Sequence, residues 1–401
     1  MLVQGRLLID PGEVPQPGYI VVEGERISEV GTGDPPDKAD LGDAETIITP
    51  GFIDAHMHFP QIDSIGCDGL TLLDWLNSVV FPAEARWSDA DFALQHSREA
   101  VRRMFRQGTT GCAAFLTSHE TAMPAAAAAL RDVPLRAIVG RVMMDRNAPA
   151  ELLQQPDDSF FDAPSDRPAR MTVSVNPRFA ISCSEEALAC AGRNATDRYV
   201  HTHLAEMPAE IELTARLFPR DPDYTSVYDR FGLLQEKTLL AHCVHLSDRE
   251  WALIASRGCT VVHCPQANIF LESGLFNMGK ALDYAVPVAL GSDVAGGCDF
   301  AMPRVARSMI ETAKVCRLTL DPKAHVPTPV QAWRMITRGN AEALGWSDSG
   351  VIRAGAYADL LFLRPPFTLD EHYIGRLIYT WSEDYIAARI LAGRVYDPGA
   401  S

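Results

Sequence analysis

The chain has 401 residues, 47% of them hydrophobic and 22% charged, which is the make-up of a globular protein with room for one large core and an accessory unit. Its formal net charge of −16 argues against nucleic acid and anionic membrane as partners, since both call for a cationic face, while a small neutral substrate would be indifferent to it. No apolar run approaches the length of a membrane span, and Met1 to Arg6 lacks the charged-then-apolar opening of a secretory signal, so a cytoplasmic location is expected.

Residues 1–48 read as a small β element. Tyr19 to Ile27 has the pattern strand, turn, strand, with Glu23-Gly24 at the bend. It is too short to bury a core alone. Ala358 to Leu363 and Ala388 to Tyr396 are strands of the same character at the other end. The two termini, 1–48 and 351–401, are therefore expected to meet in a composite β-sandwich domain into which residues 49–350 are inserted.

Within the insertion, apolar strands begin near Ile47, Thr109, Leu135, Met171, Tyr199, Thr238, Cys259 and Val286, separated mostly by helical stretches. Eight such strands predict an α/β fold, a parallel (β/α)8 barrel, over an open doubly wound sheet. No Gly-x-Gly-x-x-Gly follows the first strand, which further weakens a nucleotide-binding sheet. Covering helices are predicted at 89–106, 207–218, 247–257 and 302–318, a brief one at 184–194, and a last helical pair at 328–345. One link is irregular: between Met144 and Met171 lie Pro149, Pro156, Pro164 and Pro168, and no full helix fits there. The nine cysteines are odd in number and form no Cys-x-x-Cys pair, so they read as small buried hydrophobes in a reducing compartment.

Barrel active sites gather at the C-terminal ends of strands. The first strand ends in His56-Met57-His58, and alternate residues of a strand project together, as two imidazoles must to grip one ion. Later strands end in Arg178-Phe179, His203, His242 and Asp293. One strand-end histidine is ordinary; five such residues together point to a metal site. The five lysines (Lys38, Lys237, Lys280, Lys314 and Lys323) are all away from barrel strand ends, so no carbamate bridge for a second metal is available. One metal held by His56, His58, His203 and Asp293 is expected, Zn2+ by default, with Fe2+ or Mn2+ compatible with the same donors. Such an ion lowers the pKa of its water from about 15.7 to near 7. Glu206, three residues past His203, is placed to move that water's proton, and His242 to orient the water outside the metal's own ligands.

These residues resemble the amidohydrolase superfamily and, within it, the guanine deaminase family. The likeness rests on Pro50 to Gln61, Leu72 to Leu76, Phe81-Pro82-Ala83-Glu84, Asp145 to Pro149, Pro177 to Ala180, His201 to Glu206, Tyr224 to Tyr228, His263 to Asn268 and Gly291 to Gly297. The resemblance implies hydrolytic deamination of guanine to xanthine and ammonia by a zinc-dependent homodimer, with attack at C2 and Glu206 protonating N3. It implies catalytic roles for Glu206, His242 and Asp293. Arg178 would then donate to O6, Gln61 would meet the N3 and amino edge, and Phe179 and Trp75 would flank the ring, with His203 and Glu206 also against substrate. For Trp75, plain core packing is an equal alternative. Rival readings keep the barrel but change the substrate to 8-oxoguanine, a pterin or a triazine, or drop catalysis altogether. A cytidine-deaminase type is poor, because it needs His-x-Glu with Pro-Cys-x-x-Cys.

Overall fold

The computed structural model describes residues 1–155 and 157–396. Four strands open the chain: β1 (Leu2–Leu7), β2 (Gln16–Glu23), β3 (Arg26–Thr32) and β4 (Leu41–Pro50). β2 and β3 form the expected hairpin, and Gly24 in its turn has a φ of +57°, in the left-handed region where a side chain is strained. The barrel strands follow: β5 (Phe52–His58), β6 (Thr109–Leu116), β7 (Arg136–Met143), β8 (Met171–Val173) with β9 (Asn176–Pro177), β10 (Val200–Leu204), β11 (Thr238–His242), β12 (Thr260–His263) and β13 (Val288–Leu290). The chain returns through β14 (Leu360–Leu363), β15 (Ile386–Leu391) and β16 (Arg394–Tyr396).

β14 pairs with β4 and β15, so strands from both ends share one seven-stranded sheet of order β16-β15-β14-β4-β1-β2-β3. Hydrogen bonding runs through that single sheet, and Val3, Ile20, Ile27, Ile48, Phe362 and Ile390 from its strands form one apolar cluster. Ile47 and Ile48 pair inside this sheet with β1 and β14. The apolar run that reads as the opening of the first barrel strand is thus divided at Pro50-Gly51, and the barrel strand starts at Phe52.

β5 to β8 pair in parallel, as do β10 to β13, and a Val175–Val200 bridge joins the two runs. The fourth barrel strand is broken into β8 and β9, both of which pair with β7. Side chains close the ring between β13 and β5. The Asn340 amide donates to the carbonyls of Ile53 (2.7 Å) and Leu290 (2.8 Å) and accepts from the Leu290 N–H at 2.8 Å. The Asp54 carboxylate accepts from the Ser292 N–H (2.9 Å) and hydroxyl (2.5 Å), while the Asp293 N–H donates to the His56 carbonyl at 2.8 Å. Gly291 makes this approach feasible, because a Cβ there would lie 2.6 Å from the His56 Cβ. Inside the ring Ile53, Ala113, Ile138, Leu239 and Val262 pack with Trp346, and each large aliphatic so buried contributes about 1.5–3 kcal/mol.

The outer helices include Ala90–Arg106, Pro208–Leu217, Asp248–Arg257 and Met302–Thr319, close to their sequence-based bounds. Ser247 and Glu250 form a capping box that starts the third of these. Between β7 and β8 the described residues make only the short 3-10 turns Ala150–Leu152 and Asp158–Phe161, as the prolines predict; Pro156 lies outside the described residues. No described helix is long and apolar enough to cross a membrane. Of the nine cysteines, Cys67 and Cys298 are exposed and the other seven buried, all with free thiols.

Candidate active site

The strand-end residues converge. His56 Nε2 and His58 Nε2 each lie 3.2 Å from Asp293 Oδ1, and His203 Nε2 lies 3.2 Å from His58 Nε2. Donors held about 2.1 Å from one ion at tetrahedral angles are about 3.4 Å apart, so this spacing is that of a coordination shell. His56 Nε2 is sealed from solvent and makes no well-aligned hydrogen bond, an orphan that a cation would satisfy. Burial holds His58 down to about 3 and His203 well below its usual value, which keeps their lone pairs free. Burial pushes Asp293 upward, but the imidazoles of His56 and His58 outweigh it and hold the carboxyl well below the ordinary range. Lone pairs and an ionised carboxylate are the protonation states that metal binding needs. The residues present therefore fit a divalent cation.

A second set, His56, His242, Cys264 and Asp293, also lies close together. Burial pushes the Cys264 thiol far up, and its Sγ is turned to the Val262 carbonyl at 3.7 Å. His242 faces the other oxygen, with Nε2 3.6 Å from Asp293 Oδ2 and 3.5 Å from Glu206 Oε2. The first set is the better ligand group, and His242 stands beside it.

Each ring is oriented from behind. The His203 Nδ1–H donates to the Arg178 carbonyl at 2.6 Å, and the His242 Nδ1–H donates to Asn268 Oδ1 at 2.9 Å, so both present Nε2 to the cavity. His56 Nδ1 lies 2.7 Å from Nε2 of the buried His201. His242 and Asp293 have φ of +70° and +51°, left-handed values that are uncommon for such residues and that turn the chain sharply at the strand ends. Glu206 is 2% exposed, so it is a buried carboxyl beside the donors and not a solvated charge opening the next helix. Its Oε1 accepts from the Ser273 hydroxyl at 3.1 Å, and burial, followed by the Asp293 charge, pushes its carboxyl up to about 8. The Glu206 N–H donates to Glu210 Oε2 at 2.9 Å, and the Tyr224 hydroxyl to Glu210 Oε1 at 2.6 Å.

A cavity opens in front of these groups, and Gln61, Trp75, Arg178 and Phe179 line it together with His203, Glu206, His242 and Asp293. Trp75 is both a core residue and part of the cavity wall. It is 3% exposed and packed in the core, its Nε1–H donates to the Cys67 carbonyl at 3.0 Å, and its ring still reaches the cavity wall. Arg178 is not a free cation: its Nη1 lies 2.9 and 2.8 Å from the two oxygens of Glu84, a buried pair. Sequence reasoning assigned no role to Glu84, Asn268, Ser273 or Glu210. Glu84 and Asn268 sit in stretches that carry the resemblance, and Glu210 is one helical turn past Glu206. Ser273 has no sequence signal.

Residues 47–387 match the sequence profile of the Amidohydrolase family. The chain belongs to the amidohydrolase family. Among its relatives, the guanine deaminase of Escherichia coli (strain K12) is 34% identical over 331 residues, spanning 80% of this chain and 74% of that protein. The human guanine deaminase is 32% identical over 328 residues, 79% of this chain and 72% of that protein. Of solved structures, the guanine deaminase from C. acetobutylicum with guanine bound in its active site superposes with a TM-score of 0.90 at 27% identity, covering 98% of this amidohydrolase and 99% of that chain.

Proposed function

We propose that this amidohydrolase deaminates guanine hydrolytically to xanthine and ammonia. The observation that carries the reading is a four-donor cluster at the floor of a cavity whose walls offer a guanidinium, a carboxamide and two aromatic rings. Guanine deaminases are relatives over about four-fifths of the chain, which narrows the family's chemistry to this ring.

His56, His58, His203 and Asp293 would hold the metal, with zinc the default for three nitrogens and a carboxylate. Bound there, it supplies an activated water and a Lewis acid. The protein's own groups do the rest. Arg178 donates to the purine O6, and Gln61 serves the edge carrying N3 and the amine, since a carboxamide both donates and accepts. Phe179 and Trp75 cover the ring with apolar surface and exclude bulk water. Addition of water at C2 breaks the ring conjugation and places electron density on N3. Glu206, held protonatable near neutral pH by burial, takes a proton from the water and delivers it to N3. The second water proton goes to the amine through Asp293 and Glu206, so that ammonia leaves and C2 becomes a carbonyl. His242, its Nδ1–H fixed by Asn268, keeps Nε2 against Glu206 and Asp293, where it orients the water and steadies the new oxygen.

The test is ammonia release from guanine, 8-oxoguanine, a pterin and a triazine, with metal quantified in the same sample. Guanine should be fastest, chelation should abolish its turnover, and zinc should restore it. A faster rate on another ring would move the substrate, and full activity without metal would overturn the mechanism. The resemblance also implies a homodimer in the cytoplasm; light scattering that returned a monomer would overturn the first of these.

A further inference from the structure

Two residues assigned to substrate, Gln61 and Arg178, meet at a third that stands behind them. Glu84 is 1% exposed and lies on the short helix Phe81–Ala85. Arg178 Nη1 contacts both of its oxygens, and Gln61 Nε2 donates to Oε1 at 3.2 Å. Gln61 Oε1 in turn accepts from the Ala295 N–H at 3.4 Å. Three residues before Glu84, the Phe81 ring faces the same guanidinium, 5.3 Å from its carbon.

A carboxylate only accepts hydrogen bonds. Glu84 therefore decides which way the Gln61 amide points. Turned over, the amide would set its oxygen against the carboxylate and its NH2 against the Ala295 N–H, two repulsive contacts in place of two attractive ones. Glu84 also holds the guanidinium by one end. Among the described residues the other guanidinium nitrogens donate to no protein acceptor, so they remain available to a ligand in the cavity. A donor fixed in place rewards a ring carbonyl and rejects a ring amine, whose own N–H groups would face it.

We infer that Glu84 is a positioning residue for purine selectivity: through Arg178 and Gln61 it makes the cavity accept a 6-oxo purine and refuse its 6-amino counterpart. This rests on the guanine reading above. Glu84→Gln keeps the shape, removes the charge and replaces one of the two accepting oxygens with an NH2 that faces a donor, so Arg178 and Gln61 are no longer both held. Kinetics on guanine and 2,6-diaminopurine should show KM for guanine rising about tenfold or more, the cost of a misplaced charged hydrogen bond, with kcat little changed. The preference for guanine over 2,6-diaminopurine should fall by the same factor. Parallel losses in kcat on both purines, or an unchanged preference, would overturn the inference. Calorimetric binding of the two purines in a Glu206→Gln background separates this claim from the reaction itself. A preference lost on changing Glu84 supports the inference even if guanine is not turned over. Turnover of guanine with an unchanged preference refutes the inference and leaves the reaction standing. If Glu84→Gln does not fold, Glu84→Asp carries the same comparison, since it keeps the charge but withdraws it by one methylene; a preference equal to wild type there would count against the inference.

Discussion

The two ends of the cavity are built from different material. The donor end stands on regular strands. His56, His58 and His203 lie within β5 and β10, and Asp293 follows β13 by three residues and is tied to β5 through the His56 carbonyl. The opposite end, to which we assign recognition of the ring, stands on fragments: Gln61 in the 3-10 turn Phe59–Ser64, Trp75 in the four-residue helix Leu72–Trp75, Glu84 in Phe81–Ala85, and Arg178 just past the broken fourth strand. An ion tolerates errors of only about 0.2 Å in its ligand distances, and strand pairing supplies that rigidity. A purine edge tolerates more, and its specificity can be built on short segments that differ easily between relatives.

The donor end is most sensitive at Glu206. Glu206→Gln should keep its metal and lose roughly 10²–10⁴ in kcat, as general acid–base groups do. Near-normal turnover in a metal-loaded sample would remove Glu206 from the mechanism. At the other end, Arg178→Ala should raise KM for guanine about tenfold or more while the metal content stays full, the signature of lost binding. It also strands Glu84, so thermal unfolding should reveal a loss of about 3–5 kcal/mol. An unchanged KM would refute the recognition role.

The smallest expected effect is on the stability of the metal-free protein. Burial raises Glu206 from 4.5 to about 8, so between those values the folded chain keeps a proton that the unfolded chain releases. The stability this gives is complete below the unfolded value and is lost as pH rises through the folded one. In chelated samples the advantage of Glu206→Gln over wild type should therefore widen from about pH 5 to about pH 8. Glu210, raised to about 7, should keep part of the slope in both proteins. Parallel pH profiles would show that Glu206 ionises in the folded protein much as in the unfolded chain.

Much of the donor end was legible because each donor is marked locally. His56 and His58 share a strand, and His203, His242 and Asp293 each end an apolar run, so the barrel rule alone brought them to one face. The recognition end was legible only as a list of residues. Arg178 reads as a strand-end cation facing either substrate or a structural carboxylate, and the carboxylate it meets lies 94 positions earlier, which no spacing in the sequence points to. Ser273, which holds Glu206, is 67 positions from it. The split of Ile47 and Ile48 from the barrel was equally hidden, since an apolar run does not say which sheet it joins.

Periodicity and strand-end chemistry by themselves determined the eight-stranded barrel, the joining of strands from the two ends and the candidate donors His56, His58, His203 and Asp293, because those features are marked along the chain at distances a strand or helix sets. The tertiary structure alone decided which oxygen of Asp293 faces the histidines and which faces His242. It also decided that Glu206 is sealed from water, and that Arg178 and Gln61 are bound to one carboxylate. Those outcomes depend on the closing of the ring and on desolvation, which are set by packing between distant segments and leave no local trace in composition or spacing.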